Sequence, residues 1–217
     1  MKIIIVCEES QTVCKAFRAN GHEAFSCDIL PTSSNHPEWH IMSDGDMHTK
    51  EIIYDGNYDM MIAHPDCTYL TVTANKWLKD QPARKSGALV GAARREAQRQ
   101  AIVFAEMLWL APVKRICIEN PVGVLSTKSK LGTPAQIIQP FHFGHPEPKK
   151  TCFWLKGLPR LNATKIVEPE YHTTASGKRL PKWYAYADKS KGQAERARIR
   201  SRTFEGIANA MSIQWNF

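Results

Sequence analysis

The chain has 217 residues, 43% of them hydrophobic and 23% charged, with a formal net charge of +8. That length and balance fit one soluble α/β domain with at most a small appendage. They leave no place for a membrane span, since the best apolar helical run, near Ile102 to Val113, carries Glu106 and stops at Pro112. The start Met1-Lys2-Ile3-Ile4-Ile5-Val6 runs straight into Cys7-Glu8-Glu9, which predicts no signal peptide and a cytoplasmic protein. Six cysteines at 7, 14, 27, 67, 117 and 152 form no CxxC pair and read as reduced thiols, mostly buried. His36 and His40 flank Pro37-Glu38-Trp39 in a polar stretch, and no metal site is expected.

In chain order, Lys2 to Cys7 is a short continuous apolar run, the pattern of a buried parallel strand. Ser10 or Thr12 is placed to cap a helix that runs through about Asn20 and ends at Gly21. Glu23 to Cys27 is a second strand, closing at Asp28. Pro31 to His40 is a polar loop, and Ile41-Met42 lead to a turn at Ser43-Asp44-Gly45-Asp46. Tyr58 to Ala63 is the next strand. Thr68 to Gly91 is a long polar loop carrying Lys76, Lys79, Arg84 and Lys85, of the kind that is often mobile and functional. Arg94 to Leu110 is a strong helix with Ala97, Ala101, Phe104, Ala105 and Leu108 on one face, ended by Pro112. Arg115 to Ile118 is a strand. Phe141 to Phe143 and Thr151 to Leu155 are further strand candidates, Gly157 to Tyr186 is irregular, and Glu195 to Met211 is helical in at least its second half. There are no repeats. The order of strands, helices and loops predicts a doubly wound, Rossmann-like parallel sheet.

In such sheets ligands bind beyond the carboxyl ends of the strands. That edge collects the Cys7 to Thr12 loop, Asp28, Asp46 and the His64-Pro65-Asp66-Cys67 loop, with Glu119-Asn120-Pro121 after the strand ending at Ile118. Asp28 lies about twenty residues beyond the first turn, where an acid commonly accepts hydrogen bonds from ribose hydroxyls. Asp46, after a glycine, is placed to accept from an adenine amino group. Each acid alone equally suits a turn or capping role; together they indicate a nucleoside-containing cofactor. A thiol and a carboxylate at two strand ends suit addition to a pyrimidine ring and its protonation.

Charge is concentrated near the C-terminus. From Lys178 to Arg202, nine basic residues against two acidic ones leave +7 of the total +8. Trp183, Tyr184 and Tyr186 lie in that segment. Contact with a polyphosphate backbone and a solvated helix face both fit the charge, and base stacking and a small satellite core both fit the aromatics.

These motifs, in this order, resemble the DNA (cytosine-5) methyltransferases, in particular short phage- and bacterium-borne members. Ile3 to Thr12 stands where the family has its first cofactor motif, Asp28 for its ribose-binding acid and Asp46 for its adenine-binding acid. Pro65-Asp66-Cys67 is similar to its Pro-Cys loop and Glu119-Asn120-Pro121 to its Glu-Asn motif. Lys149-Lys150-Thr151-Cys152-Phe153-Trp154 is similar to the basic strand that follows, and Gly206-Ile207-Ala208-Asn209-Ala210-Met211 to the closing Gly-Asn-Ala motif. The resemblance implies S-adenosylmethionine as cofactor, held by Cys7, Glu8, Glu9, Ser10, Asp28, Ile29, Asp46, Met47, Pro65 and Asn209. It implies DNA as substrate, with Asn120, Lys149, Lys150, Thr151, Arg84 and Lys85 on the base or backbone. A base in a duplex is out of reach and must be flipped. Cys67 would add at C6 to make C5 nucleophilic, and Glu119, partly protonated through burial, would serve N3 and the exocyclic amine. The implied organisation is a catalytic domain over 1–156, a short basic recognition segment over 157–202 and a returning helix over 203–217. A monomer in a bacterial host cytoplasm is expected.

Two departures stand out. Cys7-Glu8-Glu9-Ser10-Gln11-Thr12 has no glycine, so positive φ and a close backbone approach to a ligand are harder to reach. Glu8 or Glu9 would instead meet the ammonium of the cofactor. Asp66 precedes the thiol, and facing it would raise its pKa. They keep open a catalytically silent DNA-binding module, and an enzyme that uses a free nucleotide or a modified sulfonium donor.

Overall fold

The structure is a computed structural model that describes residues 1–183 and 201–217. The first strand, β1 (Lys2–Val6), has Ile3, Ile4 and Ile5 wholly buried, because helices cover both faces of the sheet and both sides of the strand need apolar groups. α1 (Thr12–Ala19) follows, then β2 (Glu23–Asp28), β3 (His40–Met42), α2 (Asp46–Asp55) and β4 (Met60–Ala63). A short 3-10 helix (Val72–Leu78), α3 (Gly91–Trp109), β5 (Arg115–Pro121), α4 (Leu125–Lys128), β6 (Gln136–Ile138) and β7 (Thr151–Lys156) complete the sheet region. A hairpin of β8 (Tyr171–Thr173) and β9 (Arg179–Pro181) precedes α5 (Glu205–Gln214).

The main sheet has the order β3-β2-β1-β4-β5-β7-β6. β1 to β5 pair in parallel, whereas β7 runs antiparallel between β5 and β6. The expected doubly wound α/β fold is therefore the observed one. One apolar layer joins α1 and α5 to the sheet through Phe17, Phe153, Met211 and Trp215. The other joins α2 and α3 through Ile53, Ala105 and Leu108. The strand order reverses at β1: the chain steps to β2 on one side and to β4 on the other. The crevice beyond the ends of β1 and β4 is thus a topological switch point, where such sheets bind ligands. No helix among the described residues is long and apolar enough to cross a membrane.

Several local expectations need correction. Neither Ser10 nor Thr12 caps α1; Gln11 is the capping residue, at φ 56°, and its side chain does not cap. The carboxylate of Glu8 reaches forward instead, accepting from Val13 N at 2.6 Å and Cys14 N at 3.1 Å. Phe141 to Phe143 is not a strand. Pro140 opens a 3-10 turn there, and the strand lies just before it, at β6. The 68–91 loop is tied to α3 rather than standing clear of it. Arg94 donates to Thr68 O and Leu89 O, Gln98 to Tyr69 O, and Arg95 pairs with Asp80. The irregular 157–186 stretch contains the β8–β9 hairpin, and Leu161 enters the core. The C-terminal helical expectation holds for Glu205 onward; its part over 195–200, with Tyr184, Tyr186 and most of the basic cluster, lies outside the described residues.

Candidate functional site

The parallel strands deliver the candidate residues to one edge. β1 ends at Cys7 and Glu8, β2 at Asp28, β4 at the His64 to Cys67 loop, and β5 at Glu119 to Pro121. β7 runs the other way, so its first residue, Thr151, is level with Pro121, and Lys149 and Lys150 lead in at the same edge. Ala63 pairs with Ile118, which makes the next residues, His64 and Glu119, neighbours across the two strands. His64 Nδ1 and Glu119 Oε2 are 2.5 Å apart, with both side chains about nine-tenths buried (10% and 11% exposed).

The loops carrying Cys67 and Glu119 are stitched together. Asn120 is buried and its Nδ2 donates to Pro65 O at 2.6 Å. Val124 N donates to Leu70 O at 2.8 Å, and Thr71 forms a bridge with Gly123. Gly123 permits that approach, since a Cβ there would lie 2.1 Å from Leu70 O. Pro65 and Cys67 thereby keep a fixed relation to Glu119. Asp66 turns to its own loop, accepting from Thr68 N and Thr68 Oγ1. Its charge still reaches the neighbouring thiol.

Electrostatics at this edge are unusual. Burial, followed by the charge of Asp66, pushes the Cys67 thiol up to about 11; Lys149 opposes them and Glu119 adds to them. Burial also pushes Glu119 up, but the His64 hydrogen bond, the His64 charge and Lys149 outweigh it, so Glu119 is held below its usual range. The partly protonated Glu119 expected from burial is thus corrected to a carboxylate paired with His64. For His64, burial favours the neutral ring, and the Glu119 hydrogen bond with the charges of Glu119 and Glu8 reverses this, raising its pKa. Glu8 is raised to about 7, chiefly by burial, with His64 and the Val13 and Cys14 amides pulling the other way.

The glycine-free first loop reaches positive φ without glycine. Cys7 has φ 60° and Gln11 φ 56°, a left-handed conformation costing about 1–2 kcal/mol per non-glycine residue. Ties hold it there: Cys7 N and Glu8 N both donate to Cys27 O, Glu9 O accepts from Ser33 N and Thr32 Oγ1, and Gln11 Nε2 reaches Ser26 Oγ and His36 O. Ser10 is buried against Thr12. The two oxygens of Glu8 are already engaged by backbone amides.

Beside this loop, Asp28 accepts from Leu30 N, and burial raises its pKa; burial likewise raises that of Asp46, in the first turn of α2. Cys7 senses Asp28, Asp46 and Asp66, which places the three acids around it. Ile29 and Met47, next to two of those acids, are 63% and 68% exposed. Other expected residues stand apart. Lys150 and Lys85 are exposed, and Arg84 stacks on Trp77 at 3.9 Å. Asn209 is exposed on α5, and among the described residues no hydrogen bond joins its side chain to the strand edge. His36 stacks on Trp39 and His40 joins Ser26 to Leu30 O, both structural contacts. His64 was not among the expected site residues; the parallel pairing of β4 with β5 is what sets it beside Glu119.

No family model and no curated protein matches the chain. Among solved structures, the Dnmt2 methyltransferase of S. pombe is similar at 15% identity and a TM-score of 0.47, covering 74% of this chain and 50% of that one. A provisionally assigned DNA modification methyltransferase encoded within an E. coli prophage is similar at 13% identity and a TM-score of 0.45, covering 77% of this chain and 52% of that one. The chain spans about half the length of each.

Proposed function

We propose that this protein transfers a methyl group from S-adenosylmethionine to C5 of cytosine in DNA. Cys67 is the nucleophile and Glu119 the group that serves N3. The observation that carries this reading is the delivery of a thiol and a carboxylate by adjacent parallel strands whose loops are tied by Asn120. The roles of the parts follow: catalysis in 1–156, target contact in 157–202 and a supporting helix in 203–217.

The residues around Cys7 fit the cofactor. Asp28 and Asp46 offer acceptors for ribose hydroxyls and an adenine amino group, Ile29 and Met47 offer apolar cover for a ring, and the surrounding acids favour a cation. When bound, the cofactor supplies an electrophilic methyl on positively charged sulfur. The protein's work is to make C5 a nucleophile. The Cys67 thiol releases its proton to solvent, and Sγ then bonds to C6 as the C5–C6 π pair moves toward N3. A proton delivered at N3 neutralises the developing charge, and Glu119 is the carboxyl placed to hold it. Lys149, which lowers the thiol pKa, favours the attacking form. Once C5 carries the methyl, loss of the C5 proton to solvent would expel the thiolate, and N3 would return its proton to Glu119. Lys150, Thr151, Arg84 and Lys85 are assigned to the DNA backbone.

One observation favours a second reading, a catalytically silent DNA-binding module: a thiol near 11 leaves only about one molecule in 10⁴ as thiolate at neutral pH. DNA containing 5-fluorocytosine separates the two. A covalent adduct formed with S-adenosylmethionine, and lost in Cys67→Ser, is expected. DNA binding with neither adduct nor methylation in the wild-type protein would leave the module.

A further inference from the structure

We propose that His64 is a positioning residue that supplies, through Glu119, the proton needed at N3 of the target ring. The inference rests on the cytosine reading above and goes beyond the two residues that reading uses. It begins from geometry. His64 and Glu119 are 2.5 Å apart, buried, and fixed by adjacent strands in parallel register. The backbone is held too, since His64 N donates to Val6 O at 2.9 Å. The groups facing the ring are Glu119 from β5, Glu8 from the end of β1 and Lys149 from the approach to β7.

The pairing creates a difficulty that His64 itself resolves. Glu119 beside an imidazolium is a carboxylate, and a carboxylate has no proton to give. The proton of the pair resides on His64. Nε2 of His64 is buried with no hydrogen-bond partner among the described residues, so Glu119 alone accepts from the ring. Transfer of the Nδ1 proton to Glu119 leaves a neutral ring that keeps its Nε2 proton, so the imidazolium gives up its proton on the Glu119 side without any change at Nε2.

Cys67 Sγ bonds to C6 and electron density moves to N3. Glu119 Oε2 takes the Nδ1 proton of His64, and Glu119 passes a proton on to N3. The imidazolium becomes neutral imidazole and Glu119 remains a carboxylate. When the thiolate is expelled, N3 returns its proton along the same path and the ion pair is restored. No oxidant, reductant or co-reactant is required. Glu8, raised to about 7, adds negative charge beside the ring as it ionises and so helps to keep it charged at neutral pH.

The pH dependence has a definite form. The thiolate fraction rises with pH up to about 11, while protonated His64 is lost above its raised pKa. The product of the two climbs at first and then levels at the pKa of His64, above 6.5. The test measures the rate of 5-fluorocytosine adduct formation in the wild type and in His64→Gln from about pH 6 to about pH 9. The substituted amide can still hydrogen-bond to Glu119 but holds no transferable proton. His64→Gln should be slower by about 10²-fold at neutral pH and should climb throughout, with no levelling. Cofactor binding and melting temperature report whether the variant is folded. In parallel, NMR titration of His64 should show its pKa falling in Glu119→Gln, a readout independent of activity. An adduct whose rate and pH profile survive His64→Gln would overturn the relay and leave the cytosine reading standing. No wild-type adduct at any pH would overturn that reading, and the relay with it.

Discussion

Glu8 carries more than one task at the strand edge. It holds the Val13 and Cys14 amides in the first turn of α1, lies near His64, and is 5% exposed. Burial raises its pKa from 4.5 to about 7, so the folded protein binds a proton that the unfolded chain has released over that interval. The associated stability is fully present below pH 4.5 and is lost as pH rises through about 7. The amount is about 3 kcal/mol. Glu8→Gln keeps an acceptor for one amide and cannot ionise. It also removes a charge that raises the pKa of His64, whose own contribution likewise fades as pH rises. Both effects act in the same direction. The stability lost between about pH 5 and about pH 8 should therefore be smaller in Glu8→Gln than in the wild type, whatever the absolute cost of the substitution. Urea unfolding at several pH values measures it, and parallel curves would refute the burial assigned to Glu8.

Elements were legible where the pattern had one interpretation. The apolar runs at Ile3 to Val6, Met60 to Ala63 and Ile116 to Ile118 are wholly buried strands, because only strands covered on both faces need such continuity. α2 left little signal: of its ten residues only Thr49 and Ile53 are buried. The buried face of α3 changes character along its length. Near its start it is Arg94 and Gln98, which hold the 68–91 loop, so apolar spacing described only the later half. Residue type alone nominates Cys67 and Glu119, whereas nominating His64 needs strand register, a tertiary fact. α5 offers a test at this scale. A Cβ on Gly206 would lie 1.9 Å from Phe143 O, and the Gly206 amide donates to His145 Nε2 at 2.9 Å. Gly206→Ala must therefore push α5 away from that backbone, at a cost of about 1–3 kcal/mol. Asn209→Ala, one turn on and exposed, should stay within about 0.5 kcal/mol of wild type. It should nonetheless weaken S-adenosylmethionine binding if the returning helix serves the cofactor. Thermal unfolding and calorimetric binding separate the two effects, and equal destabilisation by both variants would contradict the packing of α5.

Along the sequence the basic excess is confined to one segment. The strand edge collects Glu8, Asp28, Asp46, Asp66 and Glu119, while +7 of the net +8 belongs to the 178–202 segment. The acids around Cys7 suit a cationic sulfonium and repel phosphate, so on the proposed reading a DNA backbone is anchored away from them while a flipped base reaches Cys67. The basic segment is the part of the sequence with charge enough to do so. Each phosphate neutralised by a lysine or arginine contributes about −0.9 to the slope of log affinity against log salt. Replacing Arg196, Arg198 and Arg200 with alanine should weaken DNA binding similarly for all sequences and make that slope shallower by as much as about 3. Fluorescence anisotropy over a salt series gives the slope directly. An unchanged slope would move the backbone contacts to Lys76, Arg84 and Lys85 in the 68–91 loop, where Arg84 and Lys76 already flank Trp77. Cofactor affinity should be untouched in the same variant, because the groups assigned to it lie after β1, β2 and β4, at the start of α2 and on α5, outside the residues replaced.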